Sequence, residues 1–411
     1  MNYGLIGEKL GHSFSREIHD KLGKYPYELC EIPKGELDAF MTRREFAGIN
    51  VTIPYKTDVI PYLSETSDLA RAVGAVNTIV NRGGKLYGDN TDVRGLIALI
   101  RRMRPDLSGM TVLILGTGGT SRAALAAAKA LHAKNAIRVS RTGRDGAVTY
   151  EAAYRDYADA EFLINTTPVG MFPHAGTSPV DLSRFPRLSG VVDAIYNPLH
   201  TRLLLDARSL GIPAENGLYM LVAQAMKSAE LFTGEPIGDD VTERIYAELL
   251  FEKQNVVLIG MPGSGKSTVG RLLADQLGRA LVDTDEEIVR RAKTPITEIF
   301  KTKGEPAFRD LESAVIREVS ETGGKVIATG GGAILREENL AALRGNGVLV
   351  WLDRPLADLL PTSDRPLADQ AEKIKALYTV RRPLYESAAD LTVPVGTTPE
   401  NIALAIMEKL K

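Results

Sequence analysis

Residues 260–268 read GMPGSGKST, directly after the apolar run VVLI and just before the helical pattern VGRLLADQL. A strand that passes through a glycine turn into a helix is a narrow prescription. Gly260, Gly263 and Gly265 let the backbone curl so that successive amide N–H groups face inward at a helix start, where anions are favoured. Lys266 is then placed to reach the terminal phosphates of a nucleotide, and the Ser267 hydroxyl to hold Mg2+. The segment therefore predicts a parallel α/β domain that handles ATP or GTP, with Gly263, Ser264, Gly265, Lys266, Ser267 and Thr268 as its nucleotide-binding residues.

At 411 residues the chain exceeds what one ordinary core organises, so two or three domains are expected. Fifty basic residues against 52 acidic ones give a net charge of −2, and no basic tract suggests a nucleic-acid partner. The single Cys30 excludes a disulfide framework and a cysteine-rich metal site. MNYGLIGEKLGHSFS lacks the apolar core of a signal peptide, and no stretch reaches the ~20 apolar residues of a membrane span. The expectation is a soluble cytoplasmic protein with small-molecule partners.

The first hundred residues alternate short apolar runs (YGLIG, YELCEI, GINVT, AVNTIV) with helical patterns, an α/β layout. MTVLILGTGGTSRAALAAAKALHA then reads as a buried strand, a glycine turn and an alanine-rich helix, the opening of a Rossmann-like unit. Its turn supplies Gly116, Gly118 and Gly119 but has Ser121 where the third fingerprint glycine would stand. The next strand ends in Ser140, Arg141 and Thr142 rather than an acidic residue. Arg141 can pair with a 2′-phosphate, which argues for NADP over NAD. Two further helices, LYMLVAQAMKSAELFTG and DDVTERIYAELLFEKQ, return to close this half, and NVVLIG follows without a flexible linker. The expected α/β organisation is thus a substrate-binding domain over about 1–100 with returning helices over about 217–252, a Rossmann NADP domain over about 101–216, and a P-loop domain with a parallel sheet over 253–411.

In the C-terminal half, ALVDTDEEI places Asp283 and Asp285 two apart where a strand frays into a loop, on opposite sides of the chain. One carboxylate can serve the Mg2+ shell while the other receives a substrate hydroxyl. Arg309 and Glu312 of FRDLE stand three apart on one helix face; the arginine can clamp a carboxylate, and the plainer reading is a solvated surface pair. The ordered set GMPGSGKST, DTD, FRDLE, TGGGA, DRPL and RRPLY resembles shikimate kinase across residues 255–411. The resemblance implies that Asp285, Arg309, Gly331 and Gly332 hold shikimate, with Asp285 near the attacking hydroxyl and Arg309 and Arg381 on the carboxylate, while Ser267 and Asp283 serve the metal. Arg365 matches the lid arginine that meets the transferring phosphate. The segment before it departs from the family by lacking a further lid arginine, and Arg354 follows its strand too closely to be a lid residue.

GHSFS, NVTIPYK, GAVNT, GDNTD, INTTPVGM, DAIYNP and GLYMLVAQA, in that order, resemble shikimate dehydrogenase over residues 1 to about 250. The resemblance implies that Ser13 and Ser15 bond the substrate carboxylate, that Thr52, Lys56, Asn77, Asp92, Tyr196 and Gln224 surround the ring hydroxyls, and that Gly217 borders the NADP site. Reduction of a ketone leaves a developing alkoxide, so a positioned proton donor is needed, and Lys56 beside Asp92 is a plausible couple. His12 receives no catalytic role, nor does His200, which reads as exposed. The two resemblances share chemistry: reduction of 3-dehydroshikimate yields shikimate, whose new hydroxyl the kinase phosphorylates. A quinate-type dehydrogenase joined to another small-alcohol kinase, or a metabolite-sensing regulator built from both, remain the alternatives.

Overall fold

The computed structural model describes residues 1–11, 13–360 and 367–410, which leaves His12 and Arg365 outside the described residues. Two compact units form. The first comprises residues 1–171, 177–196 and 203–249, and the second comprises 172–176, 197–202 and 250–411.

The first unit holds two sheets. Tyr3–Gly7 lies between Glu28–Glu31 and Gly48–Val51, all parallel. Thr78–Arg82 then adds antiparallel to Gly48–Val51 and turns through Gly83 and Gly84 into Lys85–Asp89, beside which the two-residue strand Glu65–Thr66 completes six strands. Both turn glycines have positive φ, +60° and +86°, the backbone that a two-residue hairpin of matching twist requires.

The second sheet is parallel throughout, in the order Ala214–Glu215, Val191–Asp193, Phe162–Asn165, Thr111–Leu115, Asn135–Val139. Leu113, Ile114 and Leu115 are fully buried, as strands covered on both faces must be. The helix Gly119–Ala130 turns Ala123, Ala124, Ala127 and Ala128 inward, a flat small-residue face that lets it lie close against the sheet. The helix Leu218–Thr233 returns to pack along Thr91–Met103. They meet at Gly95, where a Cβ would stand only 2.7 Å from the Met220 carbonyl oxygen.

In the second unit the sheet order is Ala280–Asp283, Lys325–Ala328, Asn255–Ile259, Gly347–Asp353, Leu391–Pro394, again all parallel. The first strand of this unit is central, with its successors placed to either side. In both parallel sheets the strand order therefore reverses beside the strand that feeds a glycine turn, the place where ligands of open α/β sheets bind. Two long helices carry further site residues: Ile296–Ser320, broken at Gly304 where φ is +79°, and Ala371–Ala388. Among the described residues no helix is long and apolar enough to cross a membrane.

Candidate active sites

In the P-loop, Gly260, Gly263 and Gly265 take φ of +148°, +79° and +93°, a region that L side chains avoid. Lys266 opens the helix Lys266–Leu277, and its Nζ donates to the carbonyls of Gly260 and Met261, each at 2.9 Å. The Ser267 hydroxyl donates to Asp283 Oδ2 at 2.6 Å. Asp283 Oδ1 accepts from the backbone N–H of Asp285 at 3.0 Å and of Glu286 at 3.3 Å, capping the helix Thr284–Ala292. Asp285 thus stands in the first turn of a helix rather than on a fraying strand. The cap decides this, because it satisfies the donors that a loop would leave to water.

Asp285, Arg309, Gly331, Gly332 and Arg381 line one cavity of about 930 Å3 together with the P-loop. Arg309 is 8% exposed and Glu312 fully buried, so the surface-pair reading is set aside. Arg309 Nη1 donates to Glu312 Oε2 at 2.8 Å, and its Nη2 donates to Glu305 Oε1 at 2.9 Å. Burial raises the Glu312 carboxyl above its ordinary value against the pull of Arg309. For Arg309, burial works against the charge but Glu312 and Glu305 outweigh it, and the guanidinium stays firmly charged. A Cβ at Gly330 would stand 2.6 Å from Asp285 Oδ1 and 2.8 Å from Glu312 Oε1, and one at Gly332 would collide with the Arg309 guanidinium. The glycines of TGGGA therefore let charged side chains crowd the backbone at this corner. Arg381, also buried, donates to the Gly331 carbonyl at 3.0 Å, and the Tyr385 hydroxyl donates to the same oxygen at 2.5 Å. Glu305 lies outside the motifs, and Tyr385, the last residue of RRPLY, receives no role from them. Both lie four residues from a predicted arginine on the same helix, a spacing that points to them.

In the first unit, Lys56 Nζ donates to Asp92 Oδ2 at 2.6 Å, and Asn77 Nδ2 donates to Asp92 Oδ1 at 2.9 Å. Thr91 N donates to Asn77 Oδ1 at 2.7 Å, while the Thr91 hydroxyl reaches Gln224 Oε1 at 3.3 Å and lies 3.0 Å from the Ser228 hydroxyl. Ser228 also accepts from Asn50 Nδ2 at 2.8 Å and sits 2.9 Å from Thr78 Oγ1. Lys56, Asn77, Asp92 and Gln224 thus join one polar cluster. Of its inner members, Asn50, Thr78 and Thr91 stand inside NVTIPYK, GAVNT and GDNTD but receive no role from those motifs, and Ser228, one helical turn beyond Gln224, lies outside them. Ser13 Oγ accepts from Ser15 N at 3.2 Å, and between them Phe14 carries its ring against Tyr196, centroids 5.3 Å apart. Burial raises the Tyr196 phenol, keeping it protonated. Thr52 follows the strand Gly48–Val51 and donates its N–H to the Ile6 carbonyl.

At the glycine turn, Gly116 has φ +110° and stands where a Cβ would lie 2.8 Å from Thr166 Oγ1, whereas Cβ atoms at Gly118 and Gly119 would meet open space. Those two glycines are thus free of internal packing demands and leave the helix start accessible. Ser121 is buried and closes the turn by donating to the Gly116 carbonyl at 2.6 Å, which explains its presence in place of glycine. Ser140 Oγ accepts from Gly143 N at 3.1 Å, and Arg141 and Thr142 follow it, the arginine exposed and the threonine exposed as well. Gly217 precedes the helix Leu218–Thr233; a Cβ there would come within 2.2 Å of the Ala194 carbonyl oxygen, so its size is fixed by packing. His200, expected to be exposed, is half-buried in the second unit, its Nδ1 3.2 Å from the Arg344 carbonyl. Its backbone N–H donates to the Gly345 carbonyl, which draws the ring inward.

Two switch-point sheets, one with a P-loop and one with a Rossmann turn, define a class: a nucleotide-dependent phosphotransferase and a dinucleotide-dependent oxidoreductase in a single chain. The shikimate kinase family matches residues 262–411, and the shikimate dehydrogenase substrate-binding domain matches residues 5–79. A shikimate dehydrogenase (NADP(+)) of Clostridium perfringens is 36% identical over 264 residues, covering 60% of this chain and 97% of that protein. Among solved structures, a chorismate mutase/shikimate 5-dehydrogenase fusion protein from Clostridium acetobutylicum is 37% identical with a TM-score of 0.56, covering 60% of this chain and 96% of that one. Shikimate 5-dehydrogenase from Thermus thermophilus, solved with NADP(H) and shikimate, is 29% identical with a TM-score of 0.54, covering 60% and 99%. The chain belongs to the shikimate dehydrogenase family and carries a shikimate kinase domain at its C-terminal end, two NADP- and kinase-type enzymes of the shikimate pathway in one polypeptide.

Proposed function

We propose that the first unit reduces 3-dehydroshikimate to shikimate with NADPH and that the second transfers the γ-phosphoryl of ATP to the hydroxyl so created, giving shikimate 3-phosphate. One observation carries each reaction. For the reduction it is the Lys56–Asp92 pair at 2.6 Å, fixed from the far side by Asn77. NADPH supplies the hydride when bound. Lys56 delivers the proton to the developing alkoxide, Asp92 orients that ammonium and accepts a ring hydroxyl, and Asn77, Thr52, Tyr196 and Gln224 complete the hydroxyl contacts. Ser13 and Ser15 bond the carboxylate. Gly116, Gly118, Gly119 and Gly217 border the dinucleotide, with Ser140, Arg141 and Thr142 at its 2′-phosphate.

For the phosphorylation it is the cavity that gathers the P-loop, Asp285, Arg309 and Arg381. Arg309 and Arg381 bind the carboxylate of shikimate, Asp285 orients its nucleophilic hydroxyl, Gly331 and Gly332 lie against the ring, and Lys266 neutralises the phosphates. Arg365, outside the described residues, is assigned to the transferring phosphate. Mg2+ fits the Ser267 hydroxyl and Asp283: two hard oxygen donors already in contact suit an ion that keeps several waters and takes its other ligands from phosphates. Among the described residues no group of three or more His, Cys, Asp or Glu side chains could form an all-protein metal cage. Mg2+ would supply charge neutralisation at the phosphates.

Lys56→Ala and Lys266→Ala in the full chain, each assayed for both reactions on one preparation, test the assignment. Each substitution should lower its own activity by roughly 10²-fold or more and leave the other within about twofold. Loss of both activities from either change would contradict independent sites.

A further inference from the structure

We propose that Arg354 is a phosphate-binding residue of the kinase site, tethered to the P-loop and directed at the phosphate chain of the nucleotide. The sheet puts it there. Trp351 pairs with Ile259 across the parallel strands Gly347–Asp353 and Asn255–Ile259, so Arg354 leaves the sheet at the same carboxyl edge from which the P-loop departs. Arg354 Nη1 donates to the Gly263 carbonyl at 3.2 Å, and the residue lines the cavity shared by Lys266 and Ser267.

The remaining donors of this guanidinium distinguish it. An arginine carries five N–H groups and no acceptor. The Nε of Arg354 is buried and has no acceptor among the described residues, and no carboxylate among them forms an ion pair with it. Among the other guanidiniums of the cavity, Arg309 is committed to Glu305 and Glu312 and Arg290 to Glu287, while Arg381, which like Arg354 donates to a backbone carbonyl, that of Gly331, leaves no buried N–H without an acceptor among the described residues. Leaving a partly buried guanidinium without an anion is costly, and that cost is offset only when an anion arrives. A nucleotide's phosphate oxygens, cradled by the loop that Arg354 already touches, are the acceptors of matching charge and geometry.

This assignment rests on the reading of the cavity as the ATP site, so the test separates the two. Arg354→Ala and Arg354→Gln are compared in the full chain by calorimetric titration with ADP and AMP and by kinase KM for ATP and for shikimate. Glutamine retains an amide donor but not the charge. A lost charge-assisted contact should raise the ADP Kd and the ATP KM roughly tenfold to a hundredfold in both variants, with AMP binding and shikimate KM changed less than about threefold. An Arg354→Gln chain that binds ADP like the unaltered chain would reduce Arg354 to a support of the loop and overturn the proposal. So would an ADP affinity unchanged in both variants. If the unaltered chain bound ADP yet phosphorylated nothing, the kinase reading would fall while the ADP titrations still decided the role of Arg354. Dehydrogenase turnover on the same preparations reports folding.

Discussion

Replacing His19 by phenylalanine should remove a defined part of the acid sensitivity of the first unit. The His19 ring is buried, stacks on Tyr27 with centroids 3.9 Å apart, and has Tyr25 Oη 3.0 Å from its Nδ1. Burial pushes its pKa from 6.5 down to about 3, with the Asn50 side chain pulling the other way. The folded state therefore refuses a proton that the unfolded chain accepts below pH 6.5. The resulting stabilisation is fully present above about pH 6.5, declines by up to about 1.4 kcal/mol per pH unit as pH falls, and is exhausted near about pH 3. Over that window it amounts to about 5 kcal/mol, a large share of the roughly 5–15 kcal/mol that holds a typical domain together. Phenylalanine keeps the stacking ring and cannot titrate. Urea unfolding of the full chain between about pH 4.5 and 7, followed by tyrosine near-ultraviolet circular dichroism and by loss of dehydrogenase activity, measures the slope. Trp351 is the sole tryptophan and lies in the second unit, so its fluorescence serves as an internal control. Exposed carboxylates contribute equally to both proteins and cancel in the comparison. The variant should be less stable near neutral pH, because the Tyr25 hydroxyl loses a partner, yet lose up to about 3 kcal/mol less on going to about pH 4.5. Parallel curves for the two proteins would refute the assignment of a neutral, unprotonatable His19.

Two further substitutions test the cofactor assignments. Arg141→Glu should raise the KM for NADPH at least about tenfold, since an exposed pairing partner becomes a like charge, while steady-state rates with NADH stay within about threefold. Equal losses with both coenzymes would remove Arg141 from the 2′-phosphate. Ser267→Ala should raise the Mg2+ concentration for half-maximal kinase rate by roughly tenfold without altering dehydrogenase turnover, and an unchanged Mg2+ titration would show that Ser267 only holds Asp283 in its capping position.

Much of the architecture was legible because its elements announce themselves chemically. The runs VVLI and TVLIL are apolar on both faces, as strands buried between helix layers must be, and each ends in glycines that only a tight turn before a helix requires. The hairpin strand Lys85–Asp89 escapes the pattern reading, although NRGGK contains the two-glycine signal for such a turn. Its five residues alternate too briefly to stand out, and pairing with Thr78–Arg82 supplies what local preference does not. The helix start at Asp285 is likewise available in DTDEE, a capping residue followed by acidic residues in a first turn.

The sites divide along a similar line. Spacing placed Arg309 and Glu312 on one helix face but could not say that the face turns inward, because burial depends on which helix stripe meets the sheet and not on the interval between two charges. The same limit explains Arg354. Counted along the chain it lies immediately after a strand and too early for a lid, and motif order alone passes over it in favour of Arg365. Counted across the sheet, Trp351 stands opposite Ile259, and three residues further on the guanidinium reaches the Gly263 carbonyl. Register between strands distant in sequence is what converts that position into a phosphate-side one, and register is set by the packing of both sheet faces. A phosphate site assembled on neighbouring parallel strands is therefore incompletely described by its P-loop: the end of the adjoining strand belongs to it, and its residue type there carries information that a motif match discards.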